Sequence, residues 1–212
     1  LGFNHDDQPA DSRKMMDRLA ANLGKAAPVD SIVIRKAMIL APVQNDNFRI
    51  AGAMGIFKGR KGLYTSGRLD PSFAVRDIPS VGKLRYATGK DTRSEVDYIQ
   101  FLNHGDLVAE IATVPGEIYP ELVNGGITRY PGADYPDAPF EPVIRARMRS
   151  PYPFVLGLAN DELGYIIPKA EWDDQPPWLR GKKTRWYGEA NSAGPEVAGV
   201  VTRTLAGLMD QQ

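Results

Sequence analysis

Two apolar runs joined by a turn and cut off by Pro-Gly constrain this chain more than any other feature. Residues 95–102 alternate, with Val96, Tyr98 and Gln100 on one side, and residues 107–114 (LVAEIATV) form a second run. Asn103-His104-Gly105-Asp106 lies between them, and Pro115-Gly116 ends the second run. Period-two alternation sends successive side chains to opposite faces, so the pair reads as a β-hairpin. A lone hairpin is marginal in water and needs more strands and a covering element. Residues 31–40 (SIVIRKAMIL) open with β-branched residues and supply one further strand. Residues 154–159 (FVLGLA) supply a short strand, expected to be buried.

Covering helices are also predicted. Met15, Met16, Leu19, Ala20 and Leu23 fall at helical spacing over residues 11–23, with Gly24 as a stop, while residues 1–10 read as a polar connector. A short helix follows Pro120 over 119–125. The chain closes with a helix for which Ser192 is the expected N-cap and Pro195 sits in the first turn. Its apolar stripe is Val197, Val200, Val201, Leu205, Leu208 and Met209. Asn45-Asp46-Asn47 reads as a turn, the glycine-rich stretch 48–65 takes no clear assignment, and 66–94 is turn-rich. Loops cover 130–142, with four prolines, and 168–186, with Pro176-Pro177 and tryptophans at 172, 178 and 186. Strands and helices mix without βαβ alternation. The expected fold is therefore mixed α/β (α+β), a largely antiparallel sheet with flanking helices.

Composition bounds the function. A chain of 212 residues forms one domain or two small ones and buries about 70% of its unfolded surface. Lys+Arg and Asp+Glu both number 26, so no global field draws the chain to nucleic acid or anionic lipid. There is no cysteine, which excludes disulfides, thiolate metal sites and a Cys nucleophile. No apolar run reaches the roughly 18 residues that a membrane-spanning helix requires. The two histidines are His5 and His104, fewer than a self-contained metal hydrolase usually carries. The chain begins at Leu1 and holds no signal peptide, so it is expected to be a piece of a longer protein.

Three stretches can carry chemistry. Residues 113–117 (TVPGE) place the Glu117 carboxylate at the rigid end of a strand, a good mount for a ligand or base; the plain alternative is a turn with a solvated glutamate. Residues 157–165 (GLANDELGY) open a strand into a polar turn, where Asn160, Asp161, Glu162 and Tyr165 can converge; the alternative packs Tyr165 in the core. Residues 186–196 (WYGEANSAGPE) lead into the last helix, where backbone N–H groups can hold an anion or serve only as caps. His5-Asp6-Asp7 lies near a terminus, and His104 sits on a hairpin turn. The basic stretches 58–62 and 180–183 match no phosphate-loop spacing. The three tryptophans leave an aromatic-lined carbohydrate or nucleic-acid binder as a further reading.

VPGE at 114–117, GLANDELGY at 157–165 and YGEANSAGP at 187–195 together resemble, in order and spacing, the neutral/alkaline (non-lysosomal) ceramidase family. The resemblance covers roughly residues 95–210. It implies that 1–212 is the C-terminal portion of a single ceramidase-like catalytic domain whose upstream half is absent from this chain. It further implies a zinc-dependent amide hydrolase cleaving N-acylsphingosine to a fatty acid and a sphingoid base. By motif position, Glu117 and Tyr165 are the implied Zn2+ ligands and Tyr187 the implied oxyanion donor, although YGEA carries a glycine between Tyr and Glu that the family pattern lacks. The family's two histidine ligands have no counterpart here, so an upstream segment of the same precursor is the implied partner that supplies them. A lipid amide is the implied substrate, and secretion or a periplasmic location the implied address. The rival reading is a non-catalytic structural or assembly protein that keeps this fold, with loops at subunit interfaces of a homo-oligomer.

Overall fold

The computed structural model describes residues 8–22, 27–78 and 90–211. The expectations placed on His5-Asp6-Asp7, Leu23, Gly24, Pro79, Gly82 and Gly89 lie outside these residues. Helix α1 (Gln8–Asn22) begins inside the stretch read as a connector, and its Met15, Met16 and Leu19 are exposed. Strand β1 (Ser31–Pro42) runs two residues beyond the predicted end. Helix α2 (Asp46–Ala53) replaces the turn expected at 45–47: the Asn45 side chain accepts the Asn47 N–H at 3.0 Å, which is an N-cap. Asn and Asp serve turns and helix caps by the same side-chain acceptor, so the pattern alone does not separate them.

The predicted hairpin is present. Strand β4 (Asp91–Asn103) and strand β5 (Asp106–Thr113) pair antiparallel through a turn at His104-Gly105, with a register shift between Phe101 and Leu102. β1 lies antiparallel to β4 along twelve residues, from Ser31 opposite Leu102 to Pro42 opposite Asp91. The small hairpin of β2 (Leu63–Thr65) and β3 (Arg68–Asp70) joins β4 at Tyr64 opposite Asp91. After β6 (Glu117–Ile118) and α3 (Pro120–Asn124), β7 (Tyr152–Leu156) adds to β5 in parallel. β8 (Tyr165–Ile166) pairs in parallel with β6 as a separate two-stranded ribbon. The sheet is thus mixed and mostly antiparallel, with flanking helices. β7 departs from the buried strand expected there: Phe154 is 51% exposed and Leu156 46%. It lies at the sheet edge, and nothing among the described residues covers its outer face.

One face of the sheet carries the core. Ile39, Ala41, Val96, Tyr98 and Ala112 point toward α5 (Val197–Asp210), whose Val197, Ala198, Val201, Leu205, Leu208 and Met209 are buried against them. Each large aliphatic side chain so buried contributes about 1.5–3 kcal/mol. α4 (Tyr187–Ala190) precedes this helix. The cap of α5 differs from expectation: its N-cap is Glu196, and the Ser192 hydroxyl instead accepts the Gly194 N–H at 3.3 Å. The core face also holds a buried acid. Glu110 accepts the Tyr98 hydroxyl and, at 2.7 Å each, the N–H groups of Arg149 and Ser150, tying β5 to the segment entering β7. Among the described residues no helix is long and apolar enough to cross a membrane.

Candidate functional site

The site is assembled from backbone stretches far apart in sequence. Leu163 N–H reaches Pro115 O at 2.9 Å, Glu117 N–H reaches Gly164 O at 3.0 Å, and Tyr165 N–H reaches Asn191 O at 2.9 Å. The N-cap of α2 joins them, because Asn45 donates its side-chain amide to Ala190 O and Ser192 O at 3.1 and 2.9 Å. Glycine permits this closeness. A Cβ on Gly116 would lie 2.4 Å from Gly164 O, and one on Gly164, at φ +79°, would lie 2.0 Å from Asn191 O. Both glycines belong to motifs singled out above.

Glu117 and Tyr165 stand opposite each other as registered partners of the β6–β8 ribbon. Hydrogen bonding toward the neighbouring Glu117 carboxylate, followed by burial, holds the Tyr165 phenol up at about 12. The Tyr165 ring lies edge-to-face between Tyr119 and Tyr187, with centroids 6.2 and 5.7 Å away. Tyr187, on α4, is 72% exposed at the rim. Glu117, Tyr165 and Tyr187, drawn from three separate motifs, therefore line one cavity of about 660 Å³. That volume is ordinary for a small-molecule site.

The second motif divides. Glu162 lines the same cavity; its Oε1 accepts the Gly164 N–H at 2.6 Å, while burial and the charge of Glu117 push its carboxyl up. Asp161 instead forms a 2.7 Å ion pair with Arg60. Asn160 turns away, donating to Asp97 Oδ2 and Thr113 Oγ1 at 3.0 Å each. Two parts of the cavity escaped the sequence reading. Its apolar wall is Phe48, Phe57 and Leu63 from the stretch left unassigned, where aromatics among glycines were the available signal, with Val43 before it and Phe73 from the turn-rich stretch after it. Arg60 also lines it, fixed by Asp161, the Thr92 hydroxyl and Arg93 O at 3.2 Å. No spacing rule marked it among its basic neighbours.

The donors present fit part of a zinc site. Glu117 and Tyr165, registered partners lining one cavity, offer a carboxylate of the kind that binds zinc and a phenol oxygen beside it. Among the described residues no group of three or more His, Asp or Glu side chains is placed to hold a metal ion. His104, on the hairpin turn, pairs with Asp30 at 3.3 Å. A complete zinc donor set would require ligands from beyond these side chains. The tryptophans do not share one surface, since Trp172 is buried in the interior. Compared with protein-family models, curated proteins and solved structures, the chain finds no match in any of the three.

Proposed function

We propose that this chain is the C-terminal portion of a zinc-dependent amide hydrolase resembling neutral ceramidase. One observation carries the reading: Glu117, Tyr165 and Tyr187, chosen from three motifs 22 to 48 residues apart, line the same cavity beside an apolar wall. Glu117 and Tyr165 would hold the metal, with two imidazoles from an upstream segment of the same precursor. Zinc in such a site polarises a carbonyl and acidifies water. The chain's own residues do the remainder. The apolar wall takes the hydrophobic part of an amide substrate and keeps water from it. The Tyr187 hydroxyl, at the rim, donates to the oxygen that gains negative charge as the amide carbon becomes tetrahedral. Glu162, held by the Gly164 N–H, bounds the polar end of the cavity. A lipid amide substrate and an address outside the cytoplasm belong to this proposal.

The test is the chain co-produced with its upstream segment. Glu117→Ala should remove bound zinc, read by elemental analysis, and unchanged zinc content would sink the assignment. Tyr187→Phe should retain zinc but lower kcat about 100-fold with a smaller change in KM. The rival reading, an assembly protein without catalysis, draws support from the uncovered sheet face. It predicts neither zinc nor amide cleavage in the complete protein.

A further inference from the structure

A second, smaller cavity of about 80 Å³ is walled by the rings of Tyr119, Tyr130 and Trp186 and by the carboxyl groups of Glu171, Asp173 and Glu189. Asp173 is 3% exposed and Glu189 5%, and each keeps one oxygen, Asp173 Oδ1 and Glu189 Oε2, that meets no donor. Their other oxygens are committed. Asp173 Oδ2 accepts Trp186 Nε1 and the Leu179 N–H at 2.6 and 2.8 Å, and Glu189 Oε1 accepts the Asp173 N–H at 3.3 Å. Buried polar atoms are nearly always hydrogen-bonded, so two free oxygens on one small cavity call for a donor that fills it. The chain's own cations do not supply one. Arg180 also lines the cavity, but it is exposed and donates to the Tyr130 hydroxyl at 2.9 Å. Arg185 is bound to Asp174, and Lys182 lies over the Trp186 ring.

We propose that this cavity binds a small organic cation through its primary ammonium group. The donors fit. An ammonium carries three N–H donors and no acceptor, and the wall offers three carboxyl groups, two of them with a free oxygen. The charge fits. Three carboxyl groups share the wall with one guanidinium, and the cavity is short of positive charge. Burial, then the charges of Asp173 and Asp174, hold the Glu189 carboxyl up to about 7, and burial pushes Glu171 up as well. The rings fit, because an aromatic face attracts a cation and packs the carbon attached to it. The size fits. One water takes about 30 Å³ of liquid, so the space suits two or three non-hydrogen atoms, those of methylammonium or ethylammonium. A bare metal ion fits less well, because among the described residues no three acidic side chains are placed to ligate one. The inference is independent of the zinc reading, which uses the larger cavity.

Calorimetric titration and thermal unfolding of the 212-residue chain test it, with ethylammonium chloride as the probe and sodium chloride of equal ionic strength as the control. At pH 8 Glu189 is ionised and the amine is still protonated. The expected result is saturable binding, with a melting temperature raised by about 3–6 °C at ten times the dissociation constant. Tetramethylammonium, with the same charge and no N–H, should bind at least about 10-fold more weakly. Asp173→Asn removes a charge and leaves an oxygen for Trp186 and Leu179. It should weaken ethylammonium binding by about 10-fold or more. Should that variant fail to fold, Glu171→Gln decides: it keeps an acceptor for the Thr128 N–H and should weaken binding about 3-fold. No response beyond the sodium chloride control overturns the proposal and leaves the cavity to water. Equal binding of tetramethylammonium overturns it, since diffuse charge attraction then suffices. So does ethylammonium binding that both variants leave unchanged, because the site then lies elsewhere. Stabilisation by magnesium or calcium chloride that ethylammonium does not give overturns it in favour of a metal ion.

Discussion

Glu189 sits on α4 two residues from Tyr187, and its carboxyl group is held up to about 7, first by burial. One oxygen accepts the Asp173 N–H at 3.3 Å, while the other meets no donor. The folded protein binds this proton more tightly than the unfolded chain does. The associated stability is present in full below about pH 4.5 and is lost as pH rises through about 7. The gap between those two values corresponds to on the order of 3 kcal/mol. Glu189→Gln keeps the acceptor and cannot ionise. Between pH 5 and pH 8 the wild-type melting temperature should fall by roughly 5–10 °C more than that of the variant. Parallel melting curves would refute the assignment. Nothing in WYGEA announces this; a buried carboxyl is made by what packs around it, here the loop carrying Asp173 and Trp186.

At the scale of elements, the strand pair 95–114 was legible because alternation and a turn are local signals, and β4 and β5 follow them closely. α5 was legible for the same reason, through its apolar stripe. What local pattern missed was decided by tertiary neighbours. Asn45 became a cap because residues 190–193 provide acceptors for its amide and a carbonyl for its N–H. β7 became an exposed edge because Tyr152, Phe154 and Leu156 face away from α5, leaving Val155 to pack against the core. Glu117 and Tyr165 were legible through their motifs, whereas the apolar wall opposite them comes from α2 and the segments around β2, which no periodicity defined. The ribbon of β6 and β8 also yields a prediction. Gly164→Ala puts a side chain on a left-handed residue against Asn191 O, and strain and clash should cost about 2–4 kcal/mol. Chemical denaturation checks the cost, and a loss below about 0.5 kcal/mol would mean that the three-way backbone contact yields easily.

For the whole molecule, cover on one side of the sheet makes α5 the principal source of buried apolar area. Leu205, fully buried between helix and sheet, is the point at which that dependence can be measured. Leu205→Ala should cost about 2–5 kcal/mol in equilibrium unfolding, and a value near zero would mean that the helix contributes little. The hydrogen bonds linking Gln44 and Asn45 to Ala193, at 2.7 and 3.0 Å, carry a consequence for biosynthesis. Gln44 and Asn45 are made about 150 residues before their partner at Ala193. A nascent chain thus carries the polar segment after β1, and half the walls of the cavity, without partners until residues 190–193 have emerged. A chain interrupted before residue 190 would hold most of the sheet and no means of closing the pocket, an intermediate for chaperones and proteases to find.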